Sequence, residues 1–305
     1  QRLIEESGLL AVPVGRYKLR TALRRLGLLY RATGPGEVLS PSADYSQAYT
    51  GSVALALLAE LRYFQASGDD GFARARAAWV EGLRAVWIPG EGFREYPTSI
   101  DTTPYFDGEA WLALAQYHRV FPQDTRTSGF LDEVDVVLLE QYGRTRHPDF
   151  FHWGAMAAAA RYADTGQPRF LAFIEGQTQD FLSRPGGAGD NQCASAEGMA
   201  DALGALRRAG AGDSALARRA HRWLAAAMQT AQRLQIRRGQ TGITLPHARI
   251  LAPRLRRFSG AFRSSLYAAD TQVDLTAHCV SAMLKVMRLE GRPLAPPGGG
   301  AITTR

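Results

Sequence analysis

Lysine and cysteine are both scarce in this sequence of 305 residues. Lys18 and Lys285 are its only lysines, so arginine carries nearly all of the positive charge, and the net charge is +7. Cys193 and Cys279 are its only cysteines, which excludes a disulfide-rich scaffold and leaves open whether the two pair or stay free. No apolar run approaches the roughly 20 residues of a membrane-spanning helix, so we expect no transmembrane segment.

The overall composition is that of an ordinary globular protein, with 46% hydrophobic and 21% charged residues. A chain of this length can bury a sizeable core, either as one large domain or as two small ones. Arginine favours two-pronged contacts with carboxylate, phosphate or sulfate groups. The excess of arginine therefore fits either an anionic ligand or dispersed surface charge.

The stretch from Ser99 to Ala115 changes from a polar loop into an apolar helix. Pro104 and Gly108 interrupt the loop, and Thr102 and Thr103 are possible caps of the helix that follows. A helix N-terminus stabilises negative charge, so carboxylates at this junction either compensate the helix dipole or form the rim of a site. Three carboxylates lie there: Asp101, Asp107 and Glu109.

The same loop-and-helix pattern recurs along the chain. Apolar helices that include residues 57–64, 113–120 and 158–163 are each followed by a turn and a more polar helix. The spacing is roughly 45–55 residues, near that of helical-hairpin repeats. The first helix of each pair is apolar and small, as an inner helix must be, whereas the second is more charged, like an outer helix. The sequence therefore predicts an all-α fold of helical hairpins.

The two ends of the chain depart from this repeat. An amphipathic helix is predicted from Arg16 to Ala32, and Thr50 is expected to cap the next one. Residues 235–269 are rich in Gly, Pro, Arg and Thr, which predicts an irregular excursion with a short hairpin. A last helix is predicted over residues 272–289. We expect one domain over residues 1–292 and a flexible Pro/Gly-rich tail over residues 293–305.

The hairpins resemble those of the (α/α) toroids, the six-hairpin glycosidase superfamily and its relatives. The resemblance rests on the residue pattern of two segments, 106–115 and 158–171. It extends at fold level over most of residues 16–290. It implies an (α/α) toroid and an action on carbohydrates. Because the superfamily contains glycoside hydrolases, polysaccharide lyases and sugar epimerases, it leaves the reaction open.

A second toroid family, the lanthionine-synthetase-like cyclases, holds zinc with two cysteines and a histidine. Cys193, His278 and Cys279 invite that comparison, but their His-Cys order is the reverse of the order in that family. Adjacent residues on a helix also point about 100° apart, which makes joint ligation by His278 and Cys279 awkward. We therefore expect neither a metal nor a cofactor.

In a toroid, the loops that lead into the inner helices gather at one end of the barrel, so the resemblance implies a shared site there. Sugar chemistry uses two carboxylates as acid and base or as acid and nucleophile, and aromatic rings pack on sugar faces. The expected catalytic residues are Asp107, Glu109, His152 and Glu197. The expected substrate-binding residues are Tyr45, Tyr49, Asp101, Tyr105, Trp153, Asn191, Gln192, His247, Asp270 and His278.

These residues also have structural interpretations. The carboxylates can stabilise helix N-termini, and a lone histidine such as His152 is commonly part of a core. The basic run over residues 249–263 either neutralises a uronate in the site or is a solvated face. No recognised nucleic-acid-binding module accompanies it, so we expect no nucleic-acid partner.

The resemblance and the candidate residues together favour a carbohydrate-active protein, with glycoside hydrolysis of a polysaccharide or oligosaccharide as the first interpretation. One alternative is a polysaccharide lyase or epimerase that acts on an anionic glycan. Another is a non-catalytic helical-repeat scaffold that binds a glycan or a protein. Because polysaccharides lie mostly outside the cytoplasm, a periplasmic or secreted location is favoured over a cytoplasmic one.

Overall fold

The computed structural model describes residues 13–26, 30–33, 36–40, 47–184 and 189–292. They group into two compact units that divide between Gln177 and Thr178, within one helix. The tail predicted over residues 293–305 lies outside the described residues, and the single domain over residues 1–292 stays a prediction.

The first unit consists of helices joined by short antiparallel hairpins. Its elements are α1 (Pro13–Leu26), β1 (Tyr30–Thr33), β2 (Gly36–Leu39), α2 (Thr50–Ser67), α3 (Ala73–Ala85), β3 (Trp87–Ile88), β4 (Gly92–Phe93), α4 (Pro104–Val120), α5 (Thr125–Arg144), α6 (Pro148–Thr165) and the start of α7 (Pro168–Ser183). The strand pairs are β1 with β2 and β3 with β4.

Two helices of the first unit are buried on every side. Buried residues follow one another without a break from Asp107 to Tyr117 in α4 and from Phe150 to Arg161 in α6. In α5, by contrast, buried residues recur at three- and four-residue steps, so only one stripe of that helix faces the core. This difference is the inner-and-outer pairing that the repeat predicts.

The helix predicted from Arg16 to Ala32 is wrong at its end. It stops at Leu26, and residues 30–33 pair with residues 36–39 as a β-hairpin. The reason is a close backbone approach between β2 and α3, because a Cβ atom at Gly36 would lie 2.1 Å from the backbone nitrogen of Gly82. The spacing of Leu19, Leu23 and Leu26 continues to Tyr30 in the sequence, and it gives no sign of this packing.

One predicted helix cap is present in the structure and another is not. Of the two possible caps, Thr102 and Thr103, it is Thr103 that caps α4, by accepting a hydrogen bond from the backbone N–H of Phe106 at 3.3 Å. Thr50 instead donates its hydroxyl to the carbonyl of Arg94 at 2.5 Å. That hydroxyl ties the start of α2 to the loop after β4 and does not cap the helix.

The second unit holds the rest of the helices and the irregular excursion. Its elements after α7 are α8 (Cys193–Arg208), α9 (Ala215–Leu234), β5 (Gly242–Leu245), β6 (Ala248–Leu251), a short 3-10 helix (Leu255–Phe258) and α10 (Val273–Leu289). The hairpin of β5 and β6 confirms the short hairpin predicted within residues 235–269. Its own small core consists of Ile236, Ile243 and Leu255.

The two cysteines form a disulfide between the first residue of α8 and the middle of α10. The bridge joins positions 86 residues apart in the sequence and decides between the paired and free alternatives. It also removes both thiolates that a zinc site like that of the cyclases would need. Within the described ranges, no helix is both long and apolar enough to cross a membrane.

Candidate functional site

Asp107 and Glu109 lie in the first turns of α4, on opposite sides of the helix. Residues two positions apart on an α-helix point about 200° apart. One carboxyl group therefore faces the β4 turn and α5, while the other faces α2. Because of this geometry, the two cannot act as a facing pair of carboxylates.

The carboxylate of Asp107 is fully buried, and both of its oxygens have donors. Oδ1 accepts a hydrogen bond from the backbone N–H of Phe93 at 2.6 Å, and Oδ2 accepts one from the hydroxyl of Tyr142 at 2.6 Å. Gly92, with φ at 132°, makes room for it, because a Cβ atom there would lie 2.6 Å from Oδ1. Burial raises the pKa of Asp107 to about 7 although both hydrogen bonds lower it.

Glu109 is buried without such support. Its side chain lies against Gly51 of α2, where a Cβ atom would be 1.9 Å from Oε2 and 2.8 Å from the ring of Phe106. Among the described residues, Oε2 has no hydrogen-bond partner. Burial alone raises the pKa of Glu109 to about 8, so the group is mainly protonated at neutral pH. Glu109 is therefore a protonated carboxylic acid that has no hydrogen-bond partner for Oε2 among the described residues.

A run of aromatic rings crosses the N-terminal ends of α2, α4 and α6, and we call it the aromatic strip. Successive ring centroids lie 4.2–6.3 Å apart along it. Tyr49 is 39% exposed and Tyr105 is 38% exposed, so the strip opens to solvent at two of its rings. In order, its members are Tyr96, Tyr49, Phe106, Tyr105, Trp153 and His152.

The end of the strip is held by close packing of α4 and α6. A Cβ atom at Gly108 would lie 2.6 Å from the Cβ of Trp153, so only glycine lets the two helices approach this closely. Trp153 is 5% exposed and His152 is 4% exposed, with their rings 4.2 Å apart. The rings at this end therefore belong to the core, and the accessible part of the strip is Tyr49 and Tyr105.

Glu197 lies in the second unit, in a different environment. It is buried, and its Oε2 lies 2.8 Å from Nδ1 of His278, while the hydroxyl of Ser281 donates to Oε1. Nζ of Lys285 lies 3.6 Å from Oε1 and is shared with Asp201, whose Oδ2 it meets at 2.6 Å. Glu197 thus joins α8 to α10 through several donors.

Asn191 is tied to the disulfide region. Its Oδ1 accepts a hydrogen bond from the backbone N–H of Cys193 at 3.0 Å, and its Nδ2 donates to the carbonyl of Arg263 at 2.9 Å. Both ends of the amide therefore hold the loop before α8. This arrangement gives Asn191 a structural task beside the sugar-binding role predicted for it.

The other predicted substrate-binding residues lie in loops and at helix ends. Gln192 is half-buried at the start of α8, and His247 is exposed at the turn between β5 and β6. Asp270 is exposed and accepts a hydrogen bond from the Ser264 hydroxyl at 2.7 Å. Asp101 is also exposed, and Tyr45 lies outside the described residues.

Sequence reasoning missed three residues that shape these sites. Tyr142 completes the shell of Asp107, Tyr96 ends the aromatic strip, and Ser281 donates to Glu197. Tyr96 and Ser281 carry no local signal, because their partners come from distant segments. Tyr142 is part of the buried stripe of α5, so its burial, although not its partner, could be inferred from helical spacing.

No protein-family model and no curated protein matches the chain. Two solved structures do match its fold. The chain has an (α/α) toroid fold. A GH76 alpha-mannanase from Bacteroides thetaiotaomicron superposes with a TM-score of 0.62 at 8% identity, over 95% of this chain and 85% of that one. The GH76A alpha-1,6-mannanase from Salegentibacter sp. HEL1_6 superposes with a TM-score of 0.52 at 12% identity, over 79% and 76%.

These matches confirm the resemblance to the toroid glycosidases and the predicted all-α fold class. At such low identity they show the fold alone. The reaction, the substrate and the roles of individual side chains must therefore be argued from the chain's own residues.

Proposed function

We propose that the protein is a glycoside hydrolase that acts on a polysaccharide, with Glu109 as its proton donor. Three features support this proposal: the glycosidase-like fold, the partly exposed aromatic strip, and a neutral carboxylic acid beside one of its rings. The observation that carries it is the environment of Glu109, which is buried without a partner for Oε2 and has a pKa raised to about 8.

Glycosidic bond cleavage needs an acid that protonates the leaving oxygen, and such acids have raised pKa values. Glu109 meets this requirement because its proton is retained at neutral pH. A sugar ring that packs on Tyr49 and Tyr105 would be held beside the Phe106 ring, which meets the Glu109 side chain at Gly51. Glu109 is 2% exposed, so proton transfer requires a local rearrangement that gives its carboxyl group access to the substrate.

Asp107 is proposed to position the site. Its two oxygens fasten the start of α4 to the β4 turn and to α5, which fixes the direction in which Glu109 points. The second carboxylate of the reaction is sought at Asp101, which is exposed in the loop before α4, by replacing it with its amide. His152 is also kept as a proposed site residue, although its ring is buried against Trp153.

The first substrate to test is an α-mannan, because both matching structures are named as mannanases. A location outside the cytoplasm is proposed with it, since polysaccharides lie mostly there and the disulfide suits an oxidising compartment.

The proposal is tested by incubating the purified protein with α-mannan and a panel of other polysaccharides and measuring released reducing ends. We expect the Glu109→Gln variant to lose about 10²–10⁴-fold in turnover, because the amide cannot donate a proton. Glu91→Gln is the matched control, since Glu91 is exposed on the turn between β3 and β4. Equal turnover by Glu109→Gln and wild type would remove Glu109 from the mechanism.

A second function is favoured by the burial of both carboxyl groups. Asp107 is 0% exposed and Glu109 is 2% exposed, while Tyr49 and Tyr105 are open to solvent. This arrangement also suits a scaffold that binds a glycan without cleaving it. Binding without reducing ends, lost on replacing Tyr49 and Tyr105 by alanine, would support the scaffold, and unsaturated uronate products would instead identify a lyase.

A further inference from the structure

One segment of the second unit carries positive charge without any negative charge of its own. Residues 235–269, which we call the basic segment, contain seven arginines and no lysine, aspartate or glutamate. The formal net charge of the whole chain is +7, so the remaining residues sum to zero. The formal charge of the basic segment therefore equals the net charge of the chain in magnitude and sign, while the other residues carry no net formal charge.

Six of these seven arginines are exposed. The exception is Arg263, which is buried and donates from Nη1 to the carbonyl of Ala268 at 3.0 Å. None of the six exposed guanidinium groups makes an ion pair with a described residue: Arg237, Arg238, Arg249, Arg254, Arg256 and Arg257. Since counter-charges of the chain do not neutralise them, they are available to an external anion.

Large apolar side chains are exposed among these arginines. Leu251 is 71% exposed, Phe258 is 52% exposed and Ile250 is 40% exposed. Leu251 and Arg249 lie two positions apart on β6, so they share one face of the hairpin. The hairpin has a core of its own in Ile236, Ile243 and Leu255, so folding of the segment does not require Leu251 or Phe258 to be buried.

We propose that the basic segment docks on the surface of a membrane that contains anionic phospholipids. The arginines would meet the phosphate groups, and Leu251 and Phe258 would enter the boundary between head groups and acyl chains. An anionic polysaccharide would satisfy the charge alone and leave the exposed apolar side chains in water. The combination of unpaired arginine with exposed leucine and phenylalanine therefore favours lipid. This inference does not depend on the proposed glycosidase activity.

The test is co-sedimentation of the intact protein with phosphatidylcholine vesicles that contain either no phosphatidylglycerol or 30% of it. We expect binding only to the anionic vesicles, and weaker binding at high salt. Replacing Arg254, Arg256 and Arg257 by glutamine should weaken binding roughly 100-fold, from about five-fold per arginine. The control replaces Arg208, Arg222 and Arg233, which are exposed elsewhere in the unit, by glutamine. It removes the same charge and should change binding less than about three-fold.

A second variant separates lipid from other anions. Leu251→Ser combined with Phe258→Ser should weaken vesicle binding about 10-fold, because apolar contact with the acyl region is lost. Polygalacturonate and a DNA duplex serve as anionic polymers without an apolar phase. Binding to either polymer but not to anionic vesicles would overturn the proposal, as would equal loss of vesicle binding in the control variant. Failure to bind any of these probes would overturn it too.

Discussion

Glu109 and Glu197 are both buried in helices that follow a loop, yet their surroundings differ. Glu197 is met by donors from His278, Ser281 and Lys285, and it joins two helices. Glu109 lies against Gly51, and no described group donates to its Oε2. A buried carboxylate with donors acts as an anchor, whereas one without them keeps its proton and becomes an acid. The partners, and not the burial, distinguish the two roles.

The region around Glu197 has a covalent link that the region around Glu109 lacks among the described residues. Cys279 follows His278 directly, so the disulfide holds α10 against α8 beside this carboxylate. Replacing both cysteines by serine should lower the free energy of unfolding by about 4.5 kcal/mol, from the entropy of an 86-residue loop. Chemical denaturation of oxidised and variant protein measures it. Coincident denaturation curves would show that the disulfide contributes nothing to this anchor.

Much of the difference between the surroundings of Glu109 and Glu197 could not be predicted from the sequence. The helical pairs were predictable because an inner helix must be apolar all round, as α4 and α6 are. The hairpin at residues 30–39 was not, because its packing depends on a glycine in α3. Glu109 was found as a carboxylate at the start of a helix, but its lack of a partner depends on what α2 places beside it. Helical spacing cannot report contacts of that kind.

The lack of donors around Glu109 should also make the stability of the protein depend on pH. The pKa of Glu109 rises from 4.5 to about 8 on folding, so the folded chain binds this proton more tightly than the unfolded one. Its contribution to stability is complete below about pH 4.5 and is lost as the pH rises through 8. The full shift is worth about 5 kcal/mol at about 1.4 kcal/mol per pKa unit, and wild type should lose about 4 kcal/mol of it relative to Glu109→Gln between pH 4.5 and pH 8.

Denaturation of wild type and Glu109→Gln at a series of pH values checks this dependence. The stability of Glu109→Gln must be subtracted from that of wild type at each pH. Burial also raises the pKa of Asp107, so both proteins lose stability for that reason as the pH rises. A stability difference that is independent of pH would mean that Glu109 ionises normally.

Removing the Glu197 carboxylate should lower the free energy of unfolding by slightly less. Glu197→Ala leaves the buried Lys285 and Ser281 without one of their partners, and we expect the free energy of unfolding to fall by about 3 kcal/mol. Asp201 still pairs with Lys285 and limits the loss. Thermal unfolding, with the exposed Glu290→Ala as control, provides the measurement. A change no larger than that of the control would contradict the anchoring role.

The smallest expected effect concerns Asp107, whose carboxylate accepts two hydrogen bonds. Tyr142→Phe removes the hydroxyl that donates to Asp107, and it should destabilise the fold by about 1 kcal/mol. It should also raise the pKa of Asp107 further, because that hydrogen bond lowers it. Denaturation near pH 6 and near pH 8 gives both quantities. No change in either would mean that Asp107 does not depend on this hydrogen bond.

The proposed role of Glu109 as the proton donor in glycosidic bond cleavage can be tested directly. The most direct measurement is the rate of reducing-end release from α-mannan and the polysaccharide panel by wild type, Glu109→Gln and Glu91→Gln. We expect turnover by wild type and Glu91→Gln and a loss of about 10²–10⁴-fold for Glu109→Gln. Undiminished turnover in Glu109→Gln, or no turnover by wild type on any glycan that it binds, would contradict it.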